Sequence, residues 1–131
     1  MIWFLRGFFI IVLASMLAVT SWASLQVPLF ETPRAVVTHP WFIATLFDTY
    51  WAFLTFFLWV AYKEPSWPAR GLWLLAILLL GNIAMAGYAL IQLFRVSAET
   101  KLATLLHRTQ PVPVWVPAIL VALIVAVGLI A

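Results

Sequence analysis

Asp48 is the residue most able to do chemistry in this chain, because it stands alone inside a long apolar run. A carboxylate in a membrane span costs about 2.5–3.5 kcal/mol on insertion scales, so it must face a partner, a wet cavity or the bundle interior. Thr45 lies one turn before it on the same helical face, and Thr55 lies two turns after. Counting helical rise from the proposed span ends brings Ser21, Thr20 and Tyr88 near its depth, about 10 Å below the interface. Asn82 falls deeper, and Gln92 falls nearer the surface. The expected site is therefore Asp48, Thr45, Asn82, Tyr88 and Ser21, binding a proton or a ligand. The plainer role for the same residues is a hydrogen-bonded layer that fixes helix packing, and an Asp48→Asn substitution separates the two.

Other chemistry has less support. His39 and His107, with Glu31 and Glu99, fall in two connectors expected on one side of the membrane. Imidazoles and carboxylates can bind a transition metal. No ligand spacing such as HExxH is present, and loop histidines are usually solvated, so no metal site is expected. Cysteine is absent, which excludes thiolate ligands, thiol nucleophiles and disulfides. A phosphate-cradling Gly-rich loop and a GxSxG elbow are also missing. Tyr50 remains a candidate proton donor, although buried tyrosines usually just find a hydrogen-bond partner. The sequence leans away from an enzyme and names no cofactor.

The elements that must position Asp48 are read from composition and spacing. Of 131 residues, 66% are apolar and only 8% charged. Soluble domains carry about 25% charged residues. Lipid must therefore cover much of the surface. Seven basic residues against four acidic ones give a net charge of +3. That is too little and too dispersed for nucleic acid, but it suits headgroup anchors. Runs at 7–25, 41–62, 72–94 and 114–131 each approach the roughly 20 apolar residues that cross a bilayer. The fold expected is all-α, a polytopic membrane protein with one domain and about four transmembrane helices in a compact bundle.

Connectors at 26–40, 63–71 and 95–113 hold most of the prolines and charges. The second, KEPSWPARG, makes a tight hairpin. In the third, residues 97–108 place Ala98, Leu102, Leu105 and Leu106 on one face, a short interfacial helix before the last span. Trp3, Trp22, Trp41, Trp59, Trp73 and Trp115 fall near proposed helix ends, as an aromatic belt would. Small residues at Ala118, Ala122 and Ala126 would let the last helix approach its neighbours closely.

Two questions stay open at this level. Arg6, an apolar run and Ser21-Trp22-Ala23 also fit a cleaved signal peptide, which is the less favoured alternative to a retained helix. Orientation is nearly balanced. Arg6, Lys63 and Arg70 fall on one side, and Arg34, Arg95, Lys101 and Arg108 on the other. The first helix tips the balance slightly toward both termini inside.

The stretches HPWFIATLFDTYWAFLTFFLWVAYKE and LLLGNIAMAGYALIQLF resemble a family of small bacterial and plant membrane proteins that is a domain of unknown function. The resemblance covers roughly residues 1–95 and is sharpest at Phe47-Asp48-Thr49-Tyr50 with Lys63-Glu64. It implies a multi-helix membrane domain and no activity. The partners expected are therefore the lipid bilayer, other membrane subunits and, for the second hypothesis, a lipid-soluble small molecule. The first hypothesis is an accessory or assembly subunit of a larger complex in a bacterial inner membrane. The second is a small membrane enzyme or carrier using the Asp48 cluster. The third is a proton-coupled transporter acting as a homo-oligomer.

Overall fold

Gly81 decides the architecture. In the computed structural model, which describes residues 1–107, 109 and 111–130, its backbone stands at φ 54°, ψ −124°. L-residues with a Cβ avoid that region and glycine enters it freely. Gly81 ends one helix and starts the next, donating to the Ile77 carbonyl and accepting from Met85 N–H. The run 72–94, expected to be a single span, is thus two helices. Trp73 and Tyr88 would lie about 22 Å apart on a straight helix. Their ring centroids are 4.9 Å apart, so the chain reverses at Gly81.

The described residues are all-α, with seven helices and no strand. They are α1 (Ile2–Gln26), α2 (Arg34–Val37), α3 (Pro40–Lys63), α4 (Trp67–Leu80), α5 (Asn82–Phe94), α6 (Leu102–His107) and α7 (Trp115–Ile130), with a 3-10 turn at Leu29–Glu31. Local chemistry sets several boundaries. His39 caps α3, its Nδ1 accepting from Trp41 N–H, and Pro40 opens the helix. Ser66 caps α4 through Ala69 N–H, again with proline in the first turn. Of the interfacial helix expected over 97–108, six residues form as α6, and Arg108 lies outside the described residues.

Two helices, α1 and α3, are long and apolar enough to cross a membrane. Their 25 and 24 residues reach about 38 and 36 Å. The α4 and α5 arms, with 14 and 13 residues, reach only about 20 Å, less than a hydrocarbon core. The final element holds 16 residues, and Ala131 lies outside the described residues. Most of α1 and α3 is exposed, so neither serves as the interior helix of a water-soluble fold.

Residue contacts order the bundle. α5 packs most extensively against α1, and α4 packs against α3 and α7. The main core joins Val60, Trp73, Ala76, Ile77, Ala84, Tyr88 and Val112, with Phe53, Phe56 and Phe57 of α3 packed onto it. A Cβ at Gly81 would stand 2.5 Å from the Phe53 ring, so the hairpin tip is level with the middle of α3. Above the tip, the first half of α3 and the last half of α1 extend beyond α4 and α5. Trp73 is fully buried and belongs to the core, not to an aromatic belt. The alanine stripe of α7 is no buried seam, since Ala122 and Ala126 are exposed.

The reversal also redistributes charge. Arg6, Lys63, Arg70, Arg95 and Lys101 all gather at the end where α3 and α5 finish, here the basal end. Arg34 lies at the opposite, distal end. The even division expected from four straight spans does not hold, because α5 returns the third connector to the side of the second.

Candidate functional site

The polar groups that the fold encloses are at the basal end. Lys63 closes α3 and Glu64 follows it, and both are fully buried. Their side chains diverge. The Lys63 Nζ donates to the Leu105 carbonyl at 2.7 Å and sits 5.2 Å from the centre of the Trp59 ring. The Glu64 carboxylate accepts from the Tyr88 hydroxyl at 3.0 Å and from Val112 N–H at 3.0 and 3.2 Å. Gln92, buried one turn beyond Tyr88, hydrogen-bonds the same phenol. Trp73 packs edge-on against Tyr88, and its buried indole N–H has no hydrogen-bond acceptor.

Cations complete this layer by holding main-chain carbonyls. Arg70 donates to the Glu64 carbonyl at 2.7 Å, and Arg95 to that of Pro111 at 2.8 Å. Arg6 reaches from α1 to the end of α5, donating to Leu93 at 2.9 Å and to Val96 at 2.8 Å. Its guanidinium lies 4.9 Å from the ring centres of both Trp3 and Phe94. The last carbonyls of a helix lack partners within the helix and carry partial negative charge, so cations suit them. Lys63 does the same for α6. Chemically the arrangement is a clasp. One carboxylate and four cations tie α1, the α3–α4 turn, α5 and the connector before α7 to one another.

The residues expected to form a site are divided by the same reversal. Tyr88 is buried against Glu64, not beside Asp48, because α5 descends to the basal end. Asp48 is exposed on the distal half of α3, and among the described residues no hydrogen bond or ion pair engages its carboxylate. Thr45 is exposed and donates to the Trp41 carbonyl of its own helix. Thr20 bonds the Met16 carbonyl likewise, and Ser21 is exposed nearby on α1. Asn82, at the hairpin tip, is exposed and lines a shallow cleft with Met16, Thr49 and Tyr50. The tip therefore brings Asn82 toward the Asp48 segment, while Tyr88 is carried away.

The two histidines part as well. His39 starts α3 at the distal end, and His107 ends α6 beside the Lys63 contact at the basal end. They do not share a side, again because the chain turns at Gly81. Among the described residues, no group of three or more potential ligands could hold a metal ion.

Sequence reasoning passed over Glu64, Lys63 and Arg70 as connector charges and Arg6 as a charge flanking the first span. The available signal was an acid next to a base at the very end of an apolar helix, in a chain with four acids in all. No curated protein and no solved structure matches the chain. The model of the family described as a protein of unknown function, DUF1475, matches residues 2–111. The match runs past residue 95, through α6 and into the connector held by Arg95 and Glu64. It takes in the whole clasp up to the residue before Val112, and on that coverage the chain belongs to the DUF1475 family.

Proposed function

We propose that this protein is an accessory or assembly subunit of a larger complex in a bacterial inner membrane. One observation carries the reading. Asp48 stands exposed on an apolar helix, flanked by the exposed Phe47 and Trp51, with no group among the described residues to meet it. A carboxylate so placed in hydrocarbon is costly, and a polar group from another chain would offset that cost. The short α4–α5 hairpin stops level with Phe53 and leaves room beside the distal half of α3 for a partner helix.

The test is mild-detergent extraction of the tagged full chain followed by native mass spectrometry. A second polypeptide in fixed ratio, reduced about tenfold or more in an Asp48→Leu variant, supports the reading. A chain that travels alone or only with itself overturns it. A monomer retaining a lipid-soluble molecule would favour the enzyme or carrier reading, and a homo-oligomer the proton-coupled transporter.

The charge distribution supports an orientation. Lys and Arg near span ends favour the cytoplasmic side. The basal end has five such residues described and the distal end has Arg34, which favours a basal end and N-terminus inside. Because the chain has no cysteine, single Glu31→Cys and Glu99→Cys variants report on the distal and basal ends without background. An impermeant thiol reagent applied to the periplasmic side is expected to label the first and spare the second. The opposite pattern would reverse the orientation. α1 is a retained helix in this reading, since Arg6 and the packing on α5 need it.

A further inference from the structure

The basal end contains a second feature, independent of Asp48. A cavity of about 250 Å³ lies between α1, α3, α5 and α6. Its walls are wholly apolar, with Phe9, Phe56 and Ala89 deep in it and Leu102, Leu105 and Leu106 of α6 forming one side. Leu102 and Leu106 are partly exposed, so the space is a slot open at the rim. An apolar cavity of about 150 Å³ already accepts benzene, whereas sites for whole drug-sized ligands begin near 300 Å³. This slot suits a length of hydrocarbon chain and not a complete cofactor.

Charge around the slot selects the headgroup. Lys101 directly precedes Leu102 and is exposed. Arg6 follows the lining residue Leu5 and holds the carbonyl of the lining residue Leu93. Lys63 holds the carbonyl of Leu105. With Arg70 and Arg95 they outnumber the acids of this end, the buried Glu64 and the exposed Glu99. Basic pockets between membrane helices attract anionic lipid headgroups. We infer that the slot binds one acyl chain of an anionic phospholipid, whose phosphate meets Lys101 at the foot of α6.

The probes are phosphatidylglycerol and phosphatidylcholine of equal chain length, added to the delipidated full chain and counted by native mass spectrometry. One bound phosphatidylglycerol, preferred severalfold over phosphatidylcholine, is expected. Lys101→Gln is expected to lower that preference about fivefold, the effect of one basic residue near the headgroups. Ala89→Leu fills the slot and is expected to lose both lipids. If that variant fails to fold, Leu106→Gln at the exposed rim serves instead, with weaker binding of both. Soluble glycerol phosphate, which has no chain, should not bind. Equal retention of the two lipids, or lipid retention unchanged in a folded Ala89→Leu or Leu106→Gln variant, overturns the inference.

Discussion

Two carboxylates lie near opposite ends of one helix and meet opposite fates. Glu64, just past the end of α3, is fully buried and accepts from Tyr88 and Val112. Asp48, sixteen residues earlier, is exposed and engaged by nothing among the described residues. The difference arises in neither acid. It arises in Gly81, which sends α5 back toward Glu64 and away from Asp48. An apolar helix satisfies its own backbone, so the position of other elements decides whether a polar side chain on it is structural or free. The basal half of this molecule engages its buried carboxylate and its cations with groups of its own chain, and the distal half is where another chain would be useful.

The strongest way to break the contrast is at Glu64. Glu64→Ala leaves the Tyr88 hydroxyl and Val112 N–H buried without their acceptor. Each orphaned donor costs about 1–3 kcal/mol, which suggests a loss of roughly 3 kcal/mol. Unfolding in mixed micelles measures it, and Glu64→Gln, which keeps an acceptor oxygen, should recover part of the loss. An unchanged midpoint would mean that the clasp does not hold the bundle.

Gly81→Ala attacks the reversal itself. The backbone region costs a non-glycine residue about 1–3 kcal/mol, and the added methyl meets the Phe53 ring. A loss of about 2 kcal/mol is expected, smaller than at Glu64 because a ring can shift. The contact of Trp73 with Tyr88 reports the reversal directly. An engineered cross-link between α4 and α5 should form in the parent and fall in the variant.

Tyr88→Phe is milder. It removes the hydrogen bonds of the phenol to Glu64 and Gln92 and keeps the ring edge-on against Trp73. Glu64 retains Val112 N–H, so about 1 kcal/mol is expected, at about 0.6 kcal/mol for each bond in helical membrane proteins. A loss as large as that of Glu64→Ala would show that the phenol, and not the carboxylate, organises the layer.

Much of this was legible in the sequence. The all-α class, the two long apolar helices, the tight turn at 63–71 and the presence of a short helix within 97–108 follow from hydropathy, proline and charge. The hairpin at Gly81 was not, because glycine within an apolar run reads equally well as a packing residue of a straight span. The displacement of Tyr88 and of His107 follows from that one residue. Depth counted along a straight 72–94 helix puts Tyr88 level with Asp48 and both histidines on one side. Counted along two arms, Tyr88 falls at Glu64 and His107 at the basal end. The cations were visible as residues, but their targets are main-chain carbonyls, which no side-chain motif announces.

The smallest effect on stability is expected at Asp48, and it sharpens the comparison most. Asp48→Leu removes no hydrogen bond among the described residues and relieves an exposed carboxylate in an apolar helix. Surface changes away from packed or bonded groups usually stay within about 0.5 kcal/mol. The purified variant should therefore unfold at the parental midpoint or slightly above it, while any partner bound through the carboxylate is lost. Tyr88→Phe should give the reverse, a weaker fold with the partner retained. If Asp48→Leu instead destabilises the isolated chain by as much as Tyr88→Phe, the carboxylate is anchored within its own bundle. The division between a basal half that holds itself together and a distal half that waits for another chain would then be lost.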